Sequence, residues 1–204
     1  VRREINFWEP HQYRMIELPK ASQYQVERAA QLLKSAEFPV IHAGSGVLHA
    51  SAKQELTEVA ESLQAMVTTS WAGRGAMSEE NPLMMPMIHI EANNNVRNDA
   101  DVVLILGSRL GETDWWGKAP YWNANQKVIQ VDLDPSILGA NKPAELTIQS
   151  DIKAFLQQLL LALTMDFAPP VDRNRQDNIE KHLKTSRDHR KKLDEHLADK
   201  ARPM

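Results

Sequence analysis

Apolar residues along the chain follow two spacings, one typical of helices and one typical of buried strands. Helix spacing begins after Ser22 and again after Ser51, and in both places a glutamine follows three residues later, which predicts a capping box. Two further stretches, 91–97 and 152–163, are also predicted to be helical. Short apolar runs between the helices predict strands at 40–43, 66–69, 101–107, 127–132 and 146–148.

This alternation predicts βαβ units, which form a parallel sheet covered by helices. The run at 101–107 is the clearest strand, because an unbroken apolar sequence suits a strand that is covered on both faces. The segment 84–90 is predicted to add one weak strand, which would bring the sheet to six.

The same pattern divides the chain into three zones. Residues 1–21 show no sustained period and are predicted to be an extended connector, whereas residues 22–165 hold the α/β domain. Residues 166–204 are highly charged and lack glycine, which predicts a helical linker with a narrow apolar seam or, alternatively, a disordered tail. The chain does not begin with methionine, so it is interpreted as an excised fragment or a processed product.

Composition excludes several classes of function. The 204 residues are 42% hydrophobic and 25% charged, as in ordinary globular proteins. Cysteine is absent, which excludes disulfides, thiol nucleophiles and thiolate metal sites. The net charge of -3 provides no basic field for nucleic acid. The longest apolar run, 155–163, is far shorter than the ~20 residues of a membrane span, so a cytoplasmic location without a membrane partner is expected.

Small and polar residues follow the carboxyl ends of the predicted strands. These ends lie along one edge of a parallel sheet, which we call the carboxyl edge, and ligands bind in a crevice there. Glycines let the backbone approach a phosphate, and acids after a later strand can accept hydrogen bonds from ribose hydroxyls or an adenine amine. The predicted nucleotide site consists of Gly44, Ser45, Gly46, Thr69, Gly107, Ser108, Arg109, Asp132 and Asp134.

Each of these segments also has an interpretation without a ligand. The Gly44-Ser45-Gly46 turn lacks the third glycine of the dinucleotide fingerprint, because position 49 is histidine. Asp132 and Asp134 are of a residue type common in turns, and Arg109 suits a solvated surface.

Histidines carry weaker signals. His182, His189 and His196 recur every seven residues, about 10 Å apart along a helix, which is too far to share a metal ion. They are therefore interpreted as a solvated stripe. His42 and His89 have apolar neighbours in the sequence and are predicted to be core histidines with satisfied ring nitrogens.

An aromatic cluster follows the strand at 101–107. It comprises Trp115, Trp116, Tyr121 and Trp122. These rings could stack on a flavin or an acyl group, or they could cover an apolar patch or a subunit interface. No nucleophile–base pair can be assembled from the spacing, so neither a catalytic residue nor a metal site is predicted.

Taken together, the order and spacing of these segments resemble the central domain of thiamine-diphosphate-dependent enzymes, especially the acetolactate synthase large subunits. The similarity runs from about residue 21 to 163. It rests on the stretches 38–47, 66–69, 73–75, 100–109 and 128–135. The resemblance implies a three-layer α/β/α fold with a six-stranded, parallel, Rossmann-like sheet of the DHS-like NAD/FAD-binding type, followed by a C-terminal helical extension.

The resemblance also implies a function. The chain would be the central domain of a 2-oxo acid decarboxylase or carboligase, in the first place an acetolactate synthase that forms 2-acetolactate from pyruvate. It would hold FAD or ADP structurally, with Asp151 joining the pocket by position. Two stretches, 87–91 and 110–113, differ from the pattern of FAD-binding members.

The resemblance further implies partners that the chain itself lacks. The Gly-Asp-Gly signature that binds thiamine diphosphate and Mg²⁺ does not occur here, so the fragment is expected to be inactive alone. Residues 1–21 and 166–204 would connect to a pyrimidine-binding and a diphosphate-binding domain, in a homodimer or homotetramer. The alternatives are a nucleotide-free scaffold for subunit assembly and a stand-alone electron-transfer or deacylase domain. A sirtuin-like deacylase is disfavoured because zinc-binding cysteines are absent.

Overall fold

Five parallel strands lie at the centre of the protein in a computed structural model that describes residues 7–9, 17–165 and 173–198. The strands are β1 (Pro39–Ala43), β2 (Met66–Thr69), β3 (Val102–Leu106), β4 (Lys127–Asp132) and β5 (Leu146–Gln149). Their order across the sheet is β2-β1-β3-β4-β5, and each neighbouring pair is parallel. The connections after β1 and β3 therefore leave the sheet at a topological switch point.

Six α-helices occur in the described residues. They are α1 (Gln23–Lys34), α2 (Ser45–His49), α3 (Lys53–Leu63), α4 (Ile90–Asp99), α5 (Ile152–Met165) and α6 (Arg173–Ala198). Residues of α1, α3 and α5 form a core with one face of the sheet, whereas α4 and the first half of α6 cover the other. Helices thus flank both faces, as predicted. None of the described helices is both long and apolar enough to cross a membrane.

The prediction of a sixth strand at 84–90 is wrong. In this part of the described chain, a single parallel bridge pairs Met84 with Val67 on the outer side of β2. Pro82 and Pro86 frame the bridge, and because proline has no N–H group, the ladder cannot extend. If the bridge is counted as a strand, the order becomes the 3-2-1-4-5-6 arrangement of doubly wound sheets.

The two predicted capping boxes have different outcomes. At the start of α1, Gln25 N donates to Ser22 Oγ at 3.3 Å and Ser22 N donates to Gln25 Oε1 at 3.0 Å, which confirms the first box. The second box is wrong, because α3 begins at Lys53 with Ala52 as its N-cap and without a side-chain cap. Ser51 instead has a left-handed backbone, with φ of 51°, which removes it from the capping position.

Helix α6 packs on the face of the sheet opposite α1 and α3, although residues 166–172 lie outside the described residues. Ile179 and Leu183 contact the core on that face. Arg175 is buried, and its guanidinium donates to Leu63 O at 2.7 Å and to Ala36 O. Since Leu63 ends α3, Arg175 satisfies a carbonyl group at the negative end of a helix dipole.

The histidines of α6 do not form the predicted solvated stripe. His182 is only 2% exposed, stacks on Phe38 with ring centroids 5.4 Å apart, and contacts Asp99 at 3.2 Å. His189 lies edge-on to His89, also at 5.4 Å. Seven-residue spacing therefore places two imidazoles on the side of α6 that faces the domain. The predicted connector over 1–21 and the last residues of the chain lie largely outside the described residues.

We expect Arg175→Ala to loosen α6 and to lower the free energy of unfolding by about 2–3 kcal/mol, because buried carbonyl groups lose a charged donor. Urea unfolding measures the loss, and amide hydrogen exchange over 173–198 locates it. Arg173→Ala, which changes an exposed arginine two residues away, is the matched control and should change little. Equal stability of the two variants would contradict the role assigned to Arg175.

Candidate functional site

Two loops meet backbone to backbone at the carboxyl edge of the sheet. Gly44 N donates to Leu106 O at 2.8 Å, and Gly46 N donates to Gly107 O at 3.1 Å. These bonds join the loop after β1, which leads into α2, to the loop after β3. The structure thus places Gly44, Gly46 and Gly107, which are three of the predicted site residues, close together.

The contact between these loops leaves no room for side chains. A Cβ atom on Gly44 would lie 2.1 Å from Gly107 O, and one on Gly46 would lie 2.6 Å from Gly107 Cα. Gly107 itself has φ of +57°, a conformation that favours glycine. Two of the glycine amides that the sequence offered to a phosphate therefore already donate to carbonyl groups of the protein. Ser45 lies between them as the first residue of α2.

The predicted residues on β2 and after β3 differ in exposure. Thr69 is fully buried, and its Oγ1 atom has no hydrogen-bond partner among the described residues. Ser108 is also buried, and its hydroxyl accepts from Leu110 N at 3.2 Å. Arg109 is exposed, and its carbonyl group accepts from Asn141 Nδ2 at 2.8 Å. Of these side chains, the guanidinium of Arg109 is the one open to a ligand.

The three predicted acids have separate local roles. Asp132 ends β4 and is half-buried; its Oδ1 atom accepts from Asp134 N at 3.0 Å, and burial raises the pKa of its carboxyl. Asp134 is exposed, and hydrogen bonds from the hydroxyl and backbone N–H of Ser136 lower its pKa. Asp151 is buried at the start of α5, where Oδ1 accepts from Ala154 N at 2.8 Å. Asp151 is thus the side-chain cap of α5.

A buried polar cluster beneath the carboxyl edge was not predicted. Asp114, on the loop after β3, lies 3.5 Å from Arg97 of α4 and 3.4 Å from His42 of β1. The other ring nitrogen of His42 is 3.1 Å from Thr68 Oγ1, and Trp122 Nε1 donates to Asp114 O at 2.8 Å. All five side chains are buried. His42 is a core histidine, as expected, but the prediction of satisfied ring nitrogens is wrong for Nε2, which has no hydrogen-bond partner among the described residues and faces the carboxylate of Asp114.

The cluster contains one close pair of opposite charges. Burial is the largest influence on Asp114 and would raise its pKa, but His42 and Arg97 together hold it below the ordinary value. Burial also lowers the pKa of Arg97, to about 10, so its guanidinium stays charged at neutral pH. The same cause lowers the pKa of His42, more than Asp114 raises it. The cluster therefore holds an Arg97–Asp114 ion pair beside an imidazole whose pKa lies below its ordinary value.

The cluster fixes the loop after β3 to the body of the domain. In the sequence, the one indication of this cluster is a lone histidine inside an apolar run. Arg97 and Asp114 come from other segments that share no spacing with it. The described residues contain no group of three His, Cys, Asp or Glu side chains that could hold a metal ion. A cavity of about 760 Å³ opens beside the carboxyl edge, between the first turn of α3 and the segment 74–79, and contains none of the predicted site residues.

Comparisons with known proteins agree with this architecture. The family profile described as "Thiamine pyrophosphate enzyme, central domain" matches residues 26–159. A probable acetolactate synthase large subunit of Methanocaldococcus jannaschii is 34% identical over 142 residues, which cover 68% of this chain and 24% of that protein. Acetolactate synthase isozyme 1 large subunit of Escherichia coli K12 is 31% identical over 145 residues, covering 70% of this chain and 25% of its own.

One further relative and one solved structure are also similar to this chain. The sulfoacetaldehyde acetyltransferase of Roseovarius nubinhibens is 34% identical over 165 residues, which cover 77% of this chain and 27% of that protein. The structure of an enzyme from Mycobacterium smegmatis, described as thiamin diphosphate-dependent, superposes with a TM-score of 0.61 at 21% identity. That superposition covers 78% of this chain and 31% of the other, and it supports the fold. The chain spans about a quarter of the length of the curated relatives it matches.

Asp114→Asn should lower the free energy of unfolding by about 3–5 kcal/mol, because it leaves the guanidinium of Arg97 buried without its counter-charge. Urea unfolding at pH 7 measures this loss. Glu112→Gln is the matched control, since it makes the same chemical change at an exposed position in the same loop. If both variants lose less than about 1 kcal/mol, Asp114 does not anchor the loop.

Acidification should lower the free energy of unfolding. The pKa of His42 is below its ordinary value of 6.5 in the folded protein, mainly through burial, so the unfolded chain binds the proton first. Its contribution to stability is therefore complete above pH 6.5 and is lost as the pH falls below that value. Burial also lowers the pKa of His89 and the pKa of His182.

Urea unfolding at a series of pH values between 7.5 and 5 measures this dependence. His42→Gln should weaken it, because glutamine does not titrate. His196→Gln, which makes the same change at an exposed histidine, is the control. An identical pH dependence in the wild-type chain and His42→Gln would exclude His42 as a source.

Proposed function

The chain belongs to the thiamine pyrophosphate enzymes as their central domain, and from this premise we propose that it serves a thiamine-diphosphate-dependent 2-oxo acid decarboxylase or carboligase. The first candidate is an acetolactate synthase-like enzyme that converts pyruvate to 2-acetolactate. The observation that carries the proposal is the family match over 26–159, together with strand-end loops that meet at one edge of the sheet.

In this proposal the domain holds FAD or ADP structurally, and none of its residues makes or breaks bonds of the substrate. Thiamine diphosphate, held with Mg²⁺ by other parts of the enzyme, supplies the carbon nucleophile when it is bound. The division into a connector over 1–21, a domain over 22–165 and a linker over 166–204 belongs to the same proposal. The assembly would be a homodimer or homotetramer that functions in the cytoplasm.

The carboxyl edge fits a nucleotide that lies across the top of the loops. The exposed guanidinium of Arg109 can pair with a phosphate. The half-buried carboxylate of Asp132 can accept hydrogen bonds from ribose hydroxyls, because two carboxylate oxygens have more acceptor sites than the backbone N–H groups of Leu133 and Asp134 occupy. The gap between the loops after β1 and β3 is unsuitable, since the backbones of Gly46 and Gly107 already fill it.

One observation favours a second candidate, a scaffold domain without a nucleotide. The amide groups of Gly44 and Gly46 form hydrogen bonds within the protein, so the glycines have a structural purpose even without a ligand. In that case the carboxyl edge would contribute only to subunit contacts of a related thiamine-diphosphate decarboxylase.

The reaction of the whole enzyme requires its own test. The acetolactate synthases and the sulfoacetaldehyde acetyltransferase match this chain at similar identities. Assaying the full polypeptide with pyruvate and with sulfoacetaldehyde distinguishes the two substrate classes. Turnover of sulfoacetaldehyde without formation of 2-acetolactate would overturn the acetolactate synthase assignment.

Titration with FAD or ADP should raise the melting temperature of the chain. A ligand at a hundredfold excess over its Kd stabilises the folded state by about 2.7 kcal/mol, which corresponds to roughly 5–10 °C for a protein of this size. Asp132→Asn should reduce the shift, because it removes the acceptor charge. Asp188→Asn, at an exposed position on α6, is the control. If neither compound shifts the melting temperature, the nucleotide-free scaffold is the better description.

A further inference from the structure

The turn after Arg109 has an unusual backbone. Trp115 and Trp116 both adopt left-handed conformations, with φ of 54° and 50°. Such values are rare for bulky L-residues, because the Cβ atom approaches the following carbonyl oxygen. Residues held in this region by their surroundings cluster at ligand-binding sites. Both indoles are nevertheless exposed at the surface, by 40% and 45%. Packing of the rings in the core therefore does not explain the strain.

Several contacts hold the turn in this shape. Gly111 O accepts from both Asp114 N and Trp116 N at 3.0 Å, which closes the base of the turn. The buried side chain of Asp114 fixes the turn to Arg97. On its other side, Lys142 Nζ donates to Gly117 O at 3.3 Å. The conformation is therefore imposed by the protein before any ligand arrives.

The segment that leads into the turn carries an exposed cation, Arg109. A Cβ atom on Gly111 would lie 3.2 Å from Arg109 Nε, so the arginine side chain packs against the base of the turn. Trp115 is stacked on Tyr121, with centroids 4.0 Å apart and planes within 16°. This contact occupies one face of Trp115. Trp116 has no ring contact among the described residues, so its exposed indole is the one of the pair that is not already stacked.

We propose that Trp116 forms the stacking surface for the planar heteroaromatic ring of a nucleotide whose phosphate pairs with Arg109. This inference rests on the proposed nucleotide-binding function and specifies how this chain would achieve it. A ring that stacks and a phosphate that pairs are the two parts of a nucleotide, and one short turn presents a partner for each. The stretch 110–113, which differs from the FAD-binding pattern, is the start of this same turn.

The other possible occupant of the turn is a second copy of the chain, since tryptophan is also enriched at protein interfaces. The exposed charge of Arg109 complements a phosphate, which favours the nucleotide, although arginine is also enriched at protein interfaces. The experiment therefore includes the oligomeric state as a separate measurement.

The test compares the affinity of FAD and ADP for the wild-type chain, Trp116→Ala and Trp116→Phe by isothermal calorimetry. Removal of the indole should weaken binding by roughly tenfold to a hundredfold, whereas phenylalanine should retain most of the affinity. Trp71→Ala is the matched control, because Trp71 is 48% exposed but lies on the loop after β2. Trp116→Gly, which suits the left-handed backbone, is used if Trp116→Ala does not fold. Quenching of tryptophan fluorescence by FAD that is lost with Trp116 provides an independent readout.

The outcomes separate the inference from the function on which it rests. Wild-type affinity in both Trp116→Ala and Trp116→Gly would overturn the stacking role and leave nucleotide binding intact. Failure of FAD and ADP to bind the wild-type chain would overturn nucleotide binding itself. If Trp116→Ala dissociates a dimer in sedimentation without weakening FAD or ADP, the turn is a contact between copies of the chain and the inference is wrong.

Discussion

The hydrogen bonds and close backbone contact between the loops after β1 and β3 determine the shape of the carboxyl edge. Gly46 and Gly107 have backbone atoms so close that a methyl group on either would collide with the other. This constraint explains why the loops carry glycine independently of any ligand. It also determines where a ligand could bind, because the switch point between the strands is already filled. A bound molecule would have to lie above the loops and contact the side chains that project from them.

The buried ion pair between Arg97 and Asp114 extends that constraint to the loop after β3. One end of this loop is held by Gly107 at the sheet, and its middle is held by Asp114 in the interior. Arg109 lies between these two points, Trp115 and Trp116 directly follow the second, and all three side chains are exposed. The cluster is therefore structural, and it anchors the loop that carries the exposed residues of the proposed site.

Local sequence patterns predicted the regular elements well. The run at 101–107 lies almost entirely in β3 because unbroken apolar sequences suit strands that are buried on both faces. The capping box at Ser22 formed because its two partners are close in sequence. At Ser51 the same pattern failed, since a left-handed residue ended the preceding turn and moved the helix start to Lys53. A pattern within four residues cannot predict such a shift of the helix start.

From the sequence, the site could be predicted only as the group of loops that follow the strands, and not as a set of side-chain contacts. Parallel topology places the strand ends together, so their residues could be grouped without coordinates. The partners of Asp114 could not be found, because Arg97 and His42 lie on other elements and share no spacing with it. The histidines of α6 were misinterpreted for the same reason. Their seven-residue spacing defines one side of a helix but does not reveal that this side faces Phe38 and His89.

The docking of α6 has a consequence for how the domain can be separated from the rest of its polypeptide. By sequence pattern the α/β domain ends near residue 165, yet Arg175 and His182 complete its surface. Removing everything after Met165 would expose the ring of Phe38 and leave the carbonyl group of Leu63 without its charged donor. A shortened chain would therefore present a fresh apolar face and be prone to aggregation, so recombinant boundaries should retain the whole of α6.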